Sequence, residues 1–426
     1  MREMNRFPHG KKHRRLLSVA LLAVLGAAVA CSDDDSTTSG SGSDLGDTTA
    51  TSAGTQTTGE PIPVGFVNSE GGAFSVPELR VGNEVAEDYI NANLGGVEGR
   101  PLQVTRCATD GSPEASIDCA NQFVEAGVVA VVEGTDLGGD AMLPILADAG
   151  IPLVGHVQFG PARMFDENAT YFGAAALAYG AAALQFYADE GAESVTWFLP
   201  DEPSSHAFTD ASLEPTSAAL GIDYNTVYYD AASPNWAVLA ATAVSENPDV
   251  SGSIAATDAQ CAEMIGALRD AGYQGRILAA SCVGLYDALG ADAVGVDTDA
   301  DHWHPGDLDS APATKQDELE EYGAVMRDAG HEDLIGGNAI ISFADLINLT
   351  RIMATIDGPV DGASVAGALR ATTGFDSYAG PTISCDRSVL PGNSACSTDL
   401  LFFQVQDDGS VAAVTDDYVD VTGLLG

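Results

Sequence analysis

The sequence predicts an α/β protein in which parallel sheets are flanked by helices and the chain folds as two lobes. Three observations carry that expectation. Short apolar runs alternate strictly with amphipathic stretches from Ile62 onward. The alternating block then occurs twice, over about Ile62 to Gly173 and again over about Ala174 to Ala300. About 365 residues follow Pro61, more than one hydrophobic core ordinarily holds.

Taken in order, strands are expected at Ile62 to Val67, Leu102 to Arg106, Val128 to Glu133 and Pro152 to Gly155, then at Ser194 to Leu199, Asp223 to Tyr229, Gly252 to Ala256 and Arg276 to Ala280. These runs are short, apolar and bounded by turn residues. Helices are expected at Val76 to Asn93, Pro113 to Glu125, Gly139 to Ala149, Ala174 to Glu190, Ser205 to Ala219, Trp236 to Glu246 and Ala259 to Asp270. The glycines of Asn91 to Gly99 stop the first helix, and the Asp-Ala-Gly ends at Gly150 and Gly272 stop two others. In sheets of this kind a ligand sits at the carboxyl ends of the strands, so the loops there are the candidate site.

The head of the chain has a different character. A basic cluster, Lys11, Lys12, Arg14 and Arg15, precedes an apolar run from Leu16 to Ala30 that ends in small residues. Residues 1–30 thus read as an export signal, too short in its core to span a bilayer comfortably. Ala28-Val29-Ala30 before Cys31 resembles the lipobox of bacterial lipoproteins, which implies lipidation of Cys31. Residues 31–60 are then the lipidated cysteine and a disordered stalk of Ser, Thr, Gly and Asp, with too little apolar surface to fold. Such a protein is held by acyl chains at the extracytoplasmic face of the bacterial cell membrane.

The net charge is −45, and loss of the leader takes it to about −50. A surface of this sign repels nucleic acid and anionic headgroups. Six cysteines remain after Cys31, in three sequence-local couples, Cys107 with Cys119, Cys261 with Cys282 and Cys385 with Cys396. An even count in an exported chain favours disulfides, although nearness alone leaves other connectivities open. No closely spaced zinc-knuckle pairs occur.

The segments DYINANLGGVEGRPLQV, VEAGVVAVVEG and LPILADAGIPLVG resemble the first lobe of type 1 periplasmic binding proteins of the leucine/isoleucine/valine-binding branch. There a DINAAGGVNGRKI segment, a VAVIG strand and an AGIP turn follow in this order. SVTWFLPDEPSSHAFTD and SENPDVSGSIAATDAQCAEMIGALRDAGYQGRIL resemble the second half, and AGPTISCD and LFFQVQDDGSV the closing strands. The resemblance implies two Rossmann-like lobes joined by a three-crossing hinge. It places 61–173 with 301–353 in lobe 1, and 174–300 with 354–426 in lobe 2. It also implies a monomeric, lipid-anchored receptor that captures a small polar organic ligand, an amino acid or a related amide, amine or acid. The partner would be the permease, with its ATPase, of an ABC importer. The same module without transport, sensing ligand for a receptor or kinase, is the alternative.

Placing the post-strand loops on that pattern gives Asn68, Ser69, Glu70 and Phe74 after the first strand, Thr135 and Asp136 after the third, and Gln158 and Phe159 after the fourth. The second half contributes Ser205 and His206, Thr257 and Asp258, and Ser281. In amino-acid binders the carboxylate subsite falls near Asp136 and the ammonium subsite near Ser281. An acid where a carboxylate should land repels it in a closed cleft, which argues against a standard branched-chain amino acid.

No enzyme is expected. Ser204, Ser205, His206 and Asp210 have the residue types of a hydrolase but sit too close in sequence to face one another, and no GxSxG elbow or P-loop is present. No cofactor and no metal are expected. Asp301, His302, His304 and Asp307 in DADHWHPGD have ligating types, but the segment reads as a polar crossover whose Trp303 packs nearby.

Overall fold

The protein is described by a computed structural model covering residues 57–72, 75–254 and 256–425. The export signal, Cys31 and Phe74 lie outside the described residues.

The first sheet has six strands in the order β13-β5-β4-β3-β1-β2. They are β1 (Ile62–Ser69), β2 (Leu102–Thr109), β3 (Val131–Glu133), β4 (Leu153–Gly155) and β5 (Ala169–Ala174), with β13 (Ala395–Ser397) at one edge, all parallel. The second has seven in the order β15-β14-β10-β9-β8-β6-β7. In it β6 (Ser194–Pro200), β7 (Asp223–Tyr229), β8 (Val250–Ser253), β9 (Arg276–Ala279) and β10 (Val296–Ala300) are parallel. The antiparallel edge is β14 (Leu401–Val405) and β15 (Val411–Ala413). A small hairpin, β11 (Phe375–Asp376) and β12 (Thr382–Ile383), lies between β10 and β13 in the chain.

Each sheet is covered on both faces, and the strand sequences show how. Ile62, Val64 and Phe66 of β1, Val132 of β3 and Val154 of β4 enter one core, while their neighbours Val67, Val131 and Leu153 enter the opposite one. In the second sheet Val195, Trp197 and Leu199 face one core and Phe198, Ile277 and Ala279 the other. Side chains alternate along a strand, so a run apolar at every position must be sandwiched.

The helices are set by their ends. Pro77–Tyr89 starts on a proline with Glu78 in its first turn. Pro113–Ala126 is capped by the Ser112 hydroxyl, which accepts from the Ala115 amide, and stops at left-handed Gly127. Asp258–Asp270 starts on a capping box of Thr257 and Gln260. Helix Ala339–Met353 is buried almost all round and crosses Pro77–Tyr89 closely, because Gly82 has no Cβ to meet the Ala339 carbonyl. Among the described residues no helix is long and apolar enough to cross a membrane.

Three disulfides join Cys107 to Cys119, Cys261 to Cys282 and Cys385 to Cys396, the sequence-local couples. The expected strands do not include β5, where the expected helix from Ala174 overlaps only the last residue, or the short β11 and β13. Nor do they include β10, which carries Asp297, Thr298 and Asp299. Those polar groups are buried because partners meet them. Asp297 accepts from Tyr187 at 2.9 Å and Gln404 at 3.0 Å and pairs with Arg276.

The assignment of 354–426 to the second lobe needs correction. Helix Gly362–Ala371 puts Val365 and Leu369 in the core that holds Phe66, and β13 pairs in parallel with β5. Only the segment from β14 onward joins the second sheet, because the antiparallel edge is built from Leu401 and after. The chain therefore passes between the sheets after β5, after β10 and after β13.

Candidate functional site

The carboxyl end of β1 is fastened from within. Asn68 is fully buried; its Nδ2 donates to the Val76 carbonyl at 2.8 Å and its Oδ1 accepts the Thr135 amide at 3.1 Å. The two expected loops, after β1 and after β3, are thus stitched together by one side chain. Ser69 Oγ lies 3.2 Å from Thr109 Oγ1. The Thr109 hydroxyl donates to Asp136 Oδ1 at 2.9 Å, the Ser116 hydroxyl to Oδ2 at 2.6 Å and the Gly138 amide to Oδ1 at 3.3 Å. Asp136 is fully buried, and its oxygens are satisfied by donors inside the lobe.

Beneath this layer Arg163 is buried against Glu133 and Asp140, and donates to the Asp136 carbonyl at 2.7 Å. Tyr171 donates to Glu133 Oε2 at 2.6 Å. Burial raises the Glu133 pKa, and the adjacent guanidinium works against that rise. Sequence reading missed this group because its members are 30 and 38 residues apart.

Gln158 and Phe159 follow β4. Gln158 is buried, donating to Asn393 Oδ1 at 3.1 Å and Ser394 Oγ at 3.3 Å and accepting the Ala176 amide at 3.2 Å. It therefore ties the loop to the start of the helix that leads into the second sheet. Phe159 is 43% exposed, an apolar ring left open at a strand end.

In the second sheet, Ser205 is buried in the short helix Pro203–Phe208, while His206 is about half exposed. The His206 ring lies 4.0 Å from that of Tyr228, with Nε2 2.8 Å from Asp201 Oδ1. Thr257 caps its helix. Asp258 accepts the Val283 amide at 3.0 Å. Ser281 sits in the left-handed region (φ 56°) and gives both its amide and its hydroxyl to Asp299 Oδ1. Burial pushes the Asp299 carboxyl up to about 7 against those two donors.

One residue absent from the sequence reading completes the picture. Glu78, in the first turn after β1, has its pKa raised by partial burial and further by the carboxylate of Asp258, which belongs to the other sheet's strand-end loops. Burial likewise raises Asp258, although its side chain remains open to water. Acids at helix starts are ordinarily stabilised in the charged form, and here the enclosure wins. Glu78 and Asp258, one from each sheet's strand-end loops, therefore lie within electrostatic reach of each other. Glu70, Phe159, Thr257 and His206 keep solvent-accessible surface, whereas Asn68, Ser69, Asp136, Gln158 and Ser205 are buried.

Comparison with solved structures gives the same architecture. A substrate-binding protein of an ABC transporter from Aeropyrum pernix superposes with a TM-score of 0.71 at 15% identity, covering 86% of this chain and 99% of that one. A leucine-binding protein from Thermotoga maritima gives 0.68 at 17% identity, covering 85% and 99%. A substrate-binding periplasmic protein from Ralstonia solanacearum gives 0.67 at 17%, covering 83% and 99%. Identities this low establish the fold. Comparison with curated proteins returned no match. Residues 61–410 match the family model described as periplasmic binding protein, and the chain belongs to that family.

Proposed function

We propose that this protein is a monomeric, extracytoplasmic solute receptor, lipid-anchored through Cys31, that encloses a small polar organic molecule between its two lobes and hands it unchanged to an ABC importer. The observation that carries this reading is the family match over residues 61–410 on a fold of two sheets, and it is supported by the electrostatic reach between Glu78 and Asp258, one from each set of strand-end loops. A molecule held there touches both lobes at once, and binding then favours the state in which they are closed.

The chemistry of the walls narrows the ligand. Glu70, Glu78 and Asp258 are acids, and Arg80, the cation beside them, is already paired with Glu70 at 2.9 Å and Glu84 at 2.8 Å. Such a cleft suits a ligand presenting amine or amide N–H groups, with Phe159 available to an apolar portion and Thr257 and His206 to polar ones. A bare dicarboxylate would meet like charge in a poorly hydrated space. Asp136, by contrast, supports the loop from within.

A thermal-shift screen of amino acids, amides, polyamines and aromatic acids tests the reading, since a ligand bound only by the folded protein raises Tm by mass action. Amine- or amide-bearing compounds should raise Tm and aromatic acids should not. A screen in which only acids stabilise the protein would overturn the assignment of ligand class. Uptake of the hit by cells bearing the protein, lost on its deletion, distinguishes import from sensing.

A further inference from the structure

Where β4 ends and the chain returns after β10, a group of side chains converges that ligand capture does not employ. His156 is mostly buried, with Nε2 2.7 Å from Asp301 Oδ1 and Nδ1 3.2 Å from Asp345 Oδ1. His302 Nδ1 approaches the same Asp301 oxygen at 3.3 Å. The donor atoms of His156, Asp301 and His302 all lie within 4.8 Å of one another. The other oxygen of Asp301 is held by the Ala174 amide at 2.8 Å and the Tyr179 hydroxyl at 3.3 Å.

Two features of this group exceed what an ordinary ion pair requires. Asp301 and Asp345 are both buried, at 2% and 0% exposure, and a single imidazole stands between them. In addition, Asp345 Oδ2, on the carboxylate that faces the His156 ring, is buried with no hydrogen-bond partner among the described residues. A buried carboxylate oxygen left without a donor is costly. A divalent cation held by His156 and Asp301 would place positive charge one imidazole away from Asp345.

The donor set also has the right chemistry. Two imidazole nitrogens and one carboxylate oxygen suit zinc or a similar first-row divalent ion, and ligand-to-metal lengths of about 2.0–2.2 Å place the donors roughly 3 Å apart. The observed 2.7 and 3.3 Å bracket that spacing. Asp345 takes the place of an outer carboxylate that accepts from one ring nitrogen of a ligating histidine and so aims the other at the metal. Ala174 and Tyr179 do the same for Asp301. We propose that His156, Asp301 and His302 bind one divalent transition-metal ion, zinc by its ligand chemistry, at the crossing between the two sheets. Water would fill the remaining position. None of its three ligands is among the residues assigned above to ligand capture.

The test uses the full chain stripped with EDTA and dialysed free of it. Calorimetric titration with zinc chloride should show one site distinct from weak binding to the acidic surface, and zinc should raise Tm. Cobalt chloride should give the intense visible absorption of a four-coordinate ion. His302→Gln, at a partly accessible position, should weaken zinc binding at least tenfold and abolish the cobalt band, while His331→Gln, away from the group, should change neither. Zinc affinity unchanged in His302→Gln would overturn the proposal. So would a wild-type protein that binds zinc only weakly and at many sites, leaving His156 in a proton-bridged ion pair. If His302→Gln fails to fold, the cobalt spectrum of the wild type decides alone, a weak six-coordinate band counting against the site.

Discussion

Ser281 gives its backbone amide at 2.8 Å and its hydroxyl at 3.0 Å to a single oxygen of Asp299. The other oxygen of that carboxyl is buried without a hydrogen-bond partner among the described residues, and burial holds the group's pKa up to about 7. A folded-state pKa above the ordinary carboxylate value means that the native protein favours the protonated form. The resulting stability is fully present below about pH 4 and is lost as pH rises through 7. Asp299→Asn keeps an acceptor for Ser281 and cannot ionise. Its stability relative to wild type should therefore rise between pH 5 and pH 8, by a few kcal/mol at most. Urea unfolding at the two pH values measures this, and a difference that stays flat would show that Asp299 is ionised throughout.

Arg163 is expected to be highly sensitive to substitution because it is buried against Glu133 and Asp140. Arg163→Ala leaves Glu133 buried with its Tyr171 hydrogen bond but no cation, a situation that costs about 3–5 kcal/mol. Arg163→Met combined with Glu133→Gln should recover much of the loss, because the uncompensated charge is gone. Chemical denaturation of the single and double variants separates the two cases.

Gly82→Ala sets two effects against each other. Alanine improves helix propensity by about 1 kcal/mol, but its Cβ would strike the Ala339 carbonyl oxygen. Backbone on the far side cannot yield without separating two helices that share one core. The clash should win, and the variant should lose roughly 1–3 kcal/mol in thermal unfolding.

The three disulfides close short loops, each worth about 2–4 kcal/mol by restricting the unfolded chain. Thiol counting on the denatured, unreduced mature protein should find no free cysteine among these six. Reduction should lower Tm, and counts of two or more would break the assigned pairing.

The fold was largely legible because its strands are apolar at successive positions and its helices end on glycine or start on proline. Legibility failed where polar residues are buried. The β10 strand contains Asp297 and Asp299, which are affordable only because Arg276, Tyr187 and Ser281 reach them from elements at least 18 residues away. The last passage between sheets was misplaced because β13 is three residues long and pairs with a strand over 200 residues earlier. At the site, position was easier to read than role. Asp136 does lie at a strand end, yet its three donors occupy it. Glu78 looks like an ordinary first-turn acid until Asp258 is brought beside it. His156 gave no sequence signal at all, since its partners lie 145 and 189 residues away.

Calorimetric titration of the screened amine or amide ligand into wild type and into Glu78→Gln/Asp258→Asn tests the central claim most directly. The account predicts affinity reduced at least tenfold in the double variant, with the ligand-free Tm unchanged or raised because two crowded acids are gone. Wild-type affinity in that variant would place the ligand somewhere other than between the lobes.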